Sequence, residues 1–357
     1  MIYLLQSLCV LFAMLPVILN RRLCLFLVKY TYLFGLLLIM FATVPALHWS
    51  GFFLLENEQV LRVIGDVTYK ELNPISFGVF GLTESVPYPN NPLNLPRLNG
   101  FSFESIHWAY FSILTLVNLL IFWSQNNSKK YRVFLFTSFI LILFHIFLVF
   151  SLASFIVIGT SIIFVLFFVI FEFFIKLKVT TVRYIVYFGA VIFPGFLLPA
   201  ILAIIPDILK NVDYLNFLGK QGNWDTKLGF TTESWDYFIV ILPKLELVQQ
   251  AGHNLTLYLY LQFGLLVTLT FLVFLWLFIK KTISSKSTAF NWATVLALLT
   301  HLYLVPIQFF WPSGVMTFMI LLGVAHYSRK MSKYKNDLNT GKMIRYGSAS
   351  SGFAPNK

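Results

Sequence analysis

The sequence predicts an all-α fold: a polytopic transmembrane helical bundle of about nine spans with two large extracytoplasmic loops. Three observations lead there. Apolar residues make up 58% of the chain, mean hydropathy is +0.80, and only 11% of residues are charged, a balance that excludes an ordinary soluble domain. The apolar residues gather in runs of roughly 20, the length that crosses a hydrocarbon core. The charges fall between those runs, in an alternating order.

The runs lie near 2–20, 23–47, 105–124, 133–151, 153–175, 184–205, 254–279, 289–308 and 311–327. Their 40 Phe suit lipid-facing surfaces and interfacial ends. No basic region precedes the first run and Arg21-Arg22 follow it, so it reads as a membrane helix and not as a cleaved signal peptide. The fourth and fifth runs are joined by almost nothing, which predicts a tight helical hairpin. Cys9 and Cys24 sit inside runs, so neither a disulfide nor thiol chemistry is expected.

The net charge of +12 is topogenic, and nucleic acid is not an expected partner. Arg21 and Arg22; Lys129, Lys130 and Arg132; Lys176, Lys178 and Arg183; Lys280, Lys281 and Lys286 follow alternate spans. All would share one side with the tail residues Arg329, Lys330, Lys333 and Lys335, the side the positive-inside rule makes cytoplasmic. The intervening loops, 48–104 and 206–252, hold twelve of the fourteen acids. The N-terminus is therefore expected outside and the C-terminus inside. Residues 1–327 read as a single transmembrane bundle and 328–357 as a basic cytoplasmic tail.

Both loops are too long for connectors and too apolar for disorder, which marks them as functional surfaces. Pro87, Pro89, Pro92 and Pro96 amid Asn90, Asn91 and Asn94 predict an irregular approach to the third span. In the second loop, Asp236 to Gln250 reads as an amphipathic helix kinked at Pro243. No metal-ligand spacing, phosphate-binding glycine loop or nucleophile elbow occurs, so neither a metal nor a cofactor is expected.

Two loop-to-helix junctions carry the candidate chemistry. The first is Arg97-Leu98-Asn99-Gly100-Phe101-Ser102-Phe103-Glu104, with His107 one turn on. An Arg fork suits bidentate phosphate or carboxylate binding, and Glu104 could orient it or act as a base. Near a helix start, Glu104 also complements the positive dipole end, a purely structural role. The second junction is Gly252-His253-Asn254-Leu255, leading to Tyr258, Gln262 and Gly264. His253 offers a titratable imidazole at the membrane edge and Asn254 an amide for a polar substrate. Asn254 is equally a helix cap by residue type, and Gly264 permits close helix packing. His145 and His301 lie inside spans, where a neutral ring bonded to a neighbouring helix accounts for each.

The two junctions together resemble the O-antigen polymerase and O-antigen ligase superfamily of bacterial surface-polysaccharide enzymes. Gly252 to Leu265 is similar to the family's His-Asn step followed by a leucine-rich helix with a Gly in its first turns. Arg97, Gly100 and Glu104 match a spacing typical of the polymerase branch, as do the small residues Ala109, Ser151, Ser154 and Ser161. Two departures stand out: Ser105 replaces the family's Pro, and no Arg occurs between Arg183 and Arg329, where members often place one for the lipid pyrophosphate. Lys210, Lys220 or Lys227 would have to substitute.

The resemblance implies a GT-C-like glycosyltransferase of the bacterial cytoplasmic (inner) membrane. It would polymerise undecaprenyl-pyrophosphate-linked oligosaccharide repeats into O-antigen or a related polysaccharide, a step of lipopolysaccharide biosynthesis. It assigns Arg97 to the pyrophosphate, His253 or Glu104 to the acceptor hydroxyl, and Asn254 to the His or a sugar hydroxyl. Trp224, Trp235 and Tyr237 would be platforms for sugar rings, or interfacial anchors. Its partners would be the lipid-linked glycan and membrane lipid, with a chain-length regulator protein left open. The alternatives are an O-antigen ligase acting on lipid A-core, a polysaccharide or lipid transporter, and a scaffold subunit.

Overall fold

The computed structural model describes residues 2–49, 57–64, 67–74, 81–84, 97–100, 105–126, 128–149, 152–175, 180–192, 254–283, 287–304 and 312–339. The helices are α1 (Ile2–Leu19), α2 (Arg21–Trp49), α3 (Ser105–Gln125), α4 (Lys129–Leu148), α5 (Leu152–Ile175) and α6 (Thr180–Ile192). Then come α7 (Leu255–Phe263), α8 (Leu265–Thr282), α9 (Thr288–Leu299) with a π-helical turn at Thr300–Leu304, and α10 (Pro312–Asn339). A helix covers at least part of each apolar run. Among the described residues four helical stretches are long and apolar enough to cross a membrane: Arg21–Thr43, Ile106–Gln125, Tyr131–Leu148 and Leu265–Thr282. Shorter apolar helices accompany them at Leu5–Leu19, Val157–Phe167, Arg183–Ile192 and Thr288–Leu304. The chain is a helical membrane protein.

The surface makes the same case. On α2, Leu23, Phe26, Tyr30, Phe34, Leu37 and Met40 form an exposed stripe at helical spacing, with Phe34 60% exposed. The opposite face buries Cys24, Val28, Tyr32, Leu36 and Ile39. Helices α4 and α8 repeat the pattern, and Leu266 on α8 is 79% exposed. Apolar patches this extensive belong against lipid, not water. Among the described long spans α3 is buried nearly all round, 67% of it against 28–33% for the other three, and most of α9 is buried as well. They form the bundle's centre.

Caps explain several breaks. Asn20 ends α1 and starts α2, its Oδ1 accepting from the Arg22 and Leu23 backbone N–H at 3.0 and 3.3 Å. Ser287 accepts from Phe290 N–H at the start of α9. Gly35 lets α2 lie directly against α3, because a Cβ there would stand 2.3 Å from Thr115 Oγ1. Inside the bundle, Tyr32 Oη donates to Ser138 Oγ at 2.7 Å, joining α2 to α4. Tyr32→Phe should lower stability by about 0.6 kcal/mol in an unfolding titration in micelles, the usual size for such a bond in lipid. Ser138→Ala added to it should cost little more, and full additivity would remove the bond from the account.

Hydrogen bonds sort the helix ends into two groups. Tyr327 Oη donates to the Ile18 carbonyl, and Arg329 donates to the carbonyls of Lys280 (3.0 Å) and Lys281. These bonds gather Arg21, Arg22, Lys280, Lys281 and Arg329 at one end of the bundle. At the other end meet the C-termini of α2, α4 and α9 and the N-termini of α3 and α10.

The structure departs from the sequence reading in three places. The loop 48–104 contains a four-stranded antiparallel sheet, order β1 (Asn57–Ile64), β2 (Val67–Pro74), β3 (Gly81–Glu84), β4 (Arg97–Gly100), while most of the irregular approach expected at 84–99 lies outside the described residues. The all-α expectation therefore fails for this segment, where β1 pairs antiparallel with β2 from Asn57 opposite Pro74 to Ile64 opposite Val67. Helix α5 does not run along α4 as a tight hairpin partner. It packs on α9, the π-turn and α3, meeting α4 at Phe147 and Phe155 near their connection. Gly264, expected as a packing residue, splits the seventh span into α7 and α8: its φ of +82° is left-handed backbone that ends a helix. Residues 206–252 and 340–357, with the predicted amphipathic segment and much of the tail, lie outside the described residues.

Candidate functional site

The first junction is mounted on the bundle by β4. Arg97 pairs with Thr83, Leu98 with Leu82 and Gly100 with Gly81, so β4 carries one extra residue, Asn99, as a bulge. Gly100 follows with φ +57°. Its backbone rests on the indole of Trp108 on α3, where a Cβ would stand 2.2 Å from Cδ2. The Gly three residues after Arg97 thus has a packing reason, independent of any ligand. Glu104 lies outside the described residues. His107 is half-buried in the first turn of α3.

Beneath Gly100 runs a buried chain of hydrogen bonds. Trp108 Nε1–H donates to His145 Nε2 at 2.7 Å. On the other side of the ring, His145 Nδ1 lies 3.0 Å from Thr43 Oγ1, which uses its own proton on the Ile39 carbonyl at 2.8 Å. An indole nitrogen only donates, so Nε2 accepts and Nδ1–H donates. His145 is thereby a neutral ring of fixed tautomer, bonded to helices on both sides. It meets the structural expectation for a histidine inside a span.

His301 occupies the π-turn on the opposite side of α3. Its Nδ1 donates to the Ala297 carbonyl at 2.7 Å, a partner within its own helix. The Tyr110 hydroxyl bridges His301 Nε2 (2.9 Å) and Ser313 Oγ (3.0 Å). Three helices, α3, α9 and α10, therefore meet at this cluster. Single π-turns inside α-helices recur at functional sites.

At the second junction His253 lies outside the described residues, and Asn254 is 2% exposed. Asn254 Oδ1 accepts from Leu257 N–H at 3.2 Å, so its amide oxygen caps α7. Helix α7 then packs on the π-turn that holds His301.

The two junctions reach the same end of the bundle by different routes. Strand β4 packs on α2 and α3, whereas α7 packs on α8 and the π-turn, and α3 touches both neighbourhoods. Of the polymerase-like small residues, Ala109, Ser154 and Ser161 are buried, and Ser161 Oγ accepts from Trp292 Nε1 at 3.2 Å. Lys210, Lys220, Lys227, Trp224, Trp235 and Ser151 lie outside the described residues. Among the described residues no group of three or more His, Cys, Asp or Glu could hold a metal ion. Sequence reasoning missed Thr43, Trp108, Tyr110 and Ser313. The available signal was an intramembrane His, which calls for a partner on another helix. No family model matches the chain, and no characterised protein or solved structure does either.

Proposed function

We propose that the chain is a glycosyltransferase of the O-antigen polymerase type, with nine spans and both long segments on the outer face of a bacterial cytoplasmic membrane. The supporting observation is the mounting of the Arg97–Gly100 strand and the Asn254-capped helix at one end of the bundle, opposite the end that gathers Arg21, Arg22, Lys280 and Arg329. Polar substrate groups held there would stay in water while the lipid carrier lay along the apolar stripes.

In the proposed reaction the C1–O bond between a glycan and its carrier pyrophosphate breaks. A new C1–O bond forms to the terminal sugar hydroxyl of a second lipid-linked repeat. The hydroxyl proton passes to His253 or Glu104, and undecaprenyl pyrophosphate leaves with its charge held by Arg97 and a lysine from residues 206–252. Arg97→Ala and His253→Ala should each slow extension of lipid-linked glycan by on the order of 100-fold or more. Extension at the parental rate with either variant would sink the assignment. In a deletion strain, single repeats on lipid A-core fit a lost polymerase. Accumulated lipid-linked polymer would instead fit a ligase.

One observation favours a second reading, a polysaccharide or lipid transporter. The α7–α8 break at Gly264 comes ten residues after Asn254, or about 15 Å along a helix and close to half the thickness of a bilayer core. Discontinuous helices at that depth are a transporter feature. Translocation of lipid-linked glycan into vesicles holding the purified protein, without lengthening of the glycan, would decide for it.

A further inference from the structure

Two buried clasps, each pairing an α3 aromatic with a histidine, lie beneath the two candidate junctions. Trp108 and Tyr110 are two residues apart, so their side chains leave α3 roughly 200° apart around the axis. Trp108 reaches His145 on α4, which is held from behind by Thr43 on α2. Tyr110 reaches His301 in the π-turn and Ser313 on α10. The first clasp carries the Gly100 backbone on its indole, and the second belongs to the turn on which α7 leans. The outer end of α3 is therefore tied to four neighbouring helices at once, with one junction seated over each tie.

We propose that Trp108 and Tyr110 are positioning residues that, through His145 and His301, set the distance between the Arg97–Gly100 strand and the Asn254 end of α7. Burial alone would require each polar group to have a partner. It would not require both partners to stand on one helix directly under the two junctions. The consequence for catalysis rests on the polymerase reading; the mechanical consequence does not.

The test separates the two. Spin labels at Asn99→Cys and Phe263→Cys, in full-length protein with Cys9 and Cys24 replaced by Ala and held in nanodiscs, report the distance between β4 and α7. Trp108→Phe keeps a ring under Gly100 but removes the N–H donor, so it should broaden and shift that distance distribution while the protein stays folded. Tyr110→Phe should do the same from the other side. His145→Ala should reproduce the Trp108→Phe shift, and His145→Gln should recover the parental distribution, because its amide can accept from the indole and donate to Thr43.

An unchanged distribution in both aromatic variants overturns the proposal, whatever their activity. In parallel, glycan chain extension in membranes should fall by roughly 10–100-fold in Trp108→Phe and His145→Ala, the size expected for a misplacement on the order of 1 Å, and stay near the parental rate in His145→Gln. A shifted distance with extension at the parental rate would overturn the positioning role in catalysis. If the parental protein extends no lipid-linked glycan at all, the polymerase reading fails, while a shifted distance still supports the mechanical part.

Discussion

Gly35→Ala should destabilise the bundle by about 1–3 kcal/mol, the usual cost of overpacking a close contact. The added methyl would stand 2.3 Å from Thr115 Oγ1, 2.8 Å from its Cγ2 and 3.1 Å from its Cβ. Thr115 has little freedom to withdraw. It is a β-branched residue on a helix, it is buried, and its hydroxyl donates to the Phe111 carbonyl at 3.0 Å. Helices α2 and α3 would have to part, and α3 is the helix around which the rest are arranged. Adding Thr115→Ala removes the two nearest atoms, so the double variant should recover most of the loss in an unfolding titration in micelles. A Gly35→Ala protein as stable as the parent would mean the helices do not approach this closely. A double variant no better than the single would place the clash elsewhere.

Gly100→Ala should have the other large effect, for two reasons that add. At φ +57° a non-glycine residue costs roughly 1–2 kcal/mol. Its methyl would also enter the Trp108 indole, 2.2 Å from Cδ2 and Cε2. The indole is bonded to His145 through Nε1, and tilting away would strain that bond. The expected result is release of the β-sheet segment from α3. Cleavage by protease between residues 57 and 100 should become faster while the spans remain protected. Gly100→Ala with the parental cleavage pattern would show that the strand is held by other contacts.

The spans were legible because lipid imposes one requirement along some 20 residues, and runs such as 105–124 answer it in a single stretch of sequence. Their ends were legible where a capping residue stands, as at Asn20 and Asn254. The sheet has a local signal too. Val60 to Ile64 and Val67-Thr68-Tyr69, rich in β-branched residues, flank Gly65-Asp66, a hairpin signal. Pro87, Pro89, Pro92 and Pro96 carry the opposite signal, for irregular backbone. Gly264 carried two meanings, close packing or helix end, and composition alone does not choose between them. The histidine clasps were out of reach for another reason. His145 and Trp108 are 37 residues apart, and Tyr110 and His301 are 191 apart. Such pairings depend on how whole helices are rotated against one another, which one sequence does not state.

The contact between α1 and α10 bears on how the chain is made. Helix α1 packs more extensively against α10 than against its neighbour α2, and Cys24 and Ile18 close over Gly323. Helix α1 therefore leaves the ribosome well before its partner α10. At roughly 5–20 residues per second, the intervening 300 or so residues take on the order of 15–60 s to synthesise. During that interval the insertion machinery or bulk lipid must cover the inner face of α1. A chain halted before residue 312 has no native partner for that face, which makes α1 the part of a truncated product most open to quality-control proteases.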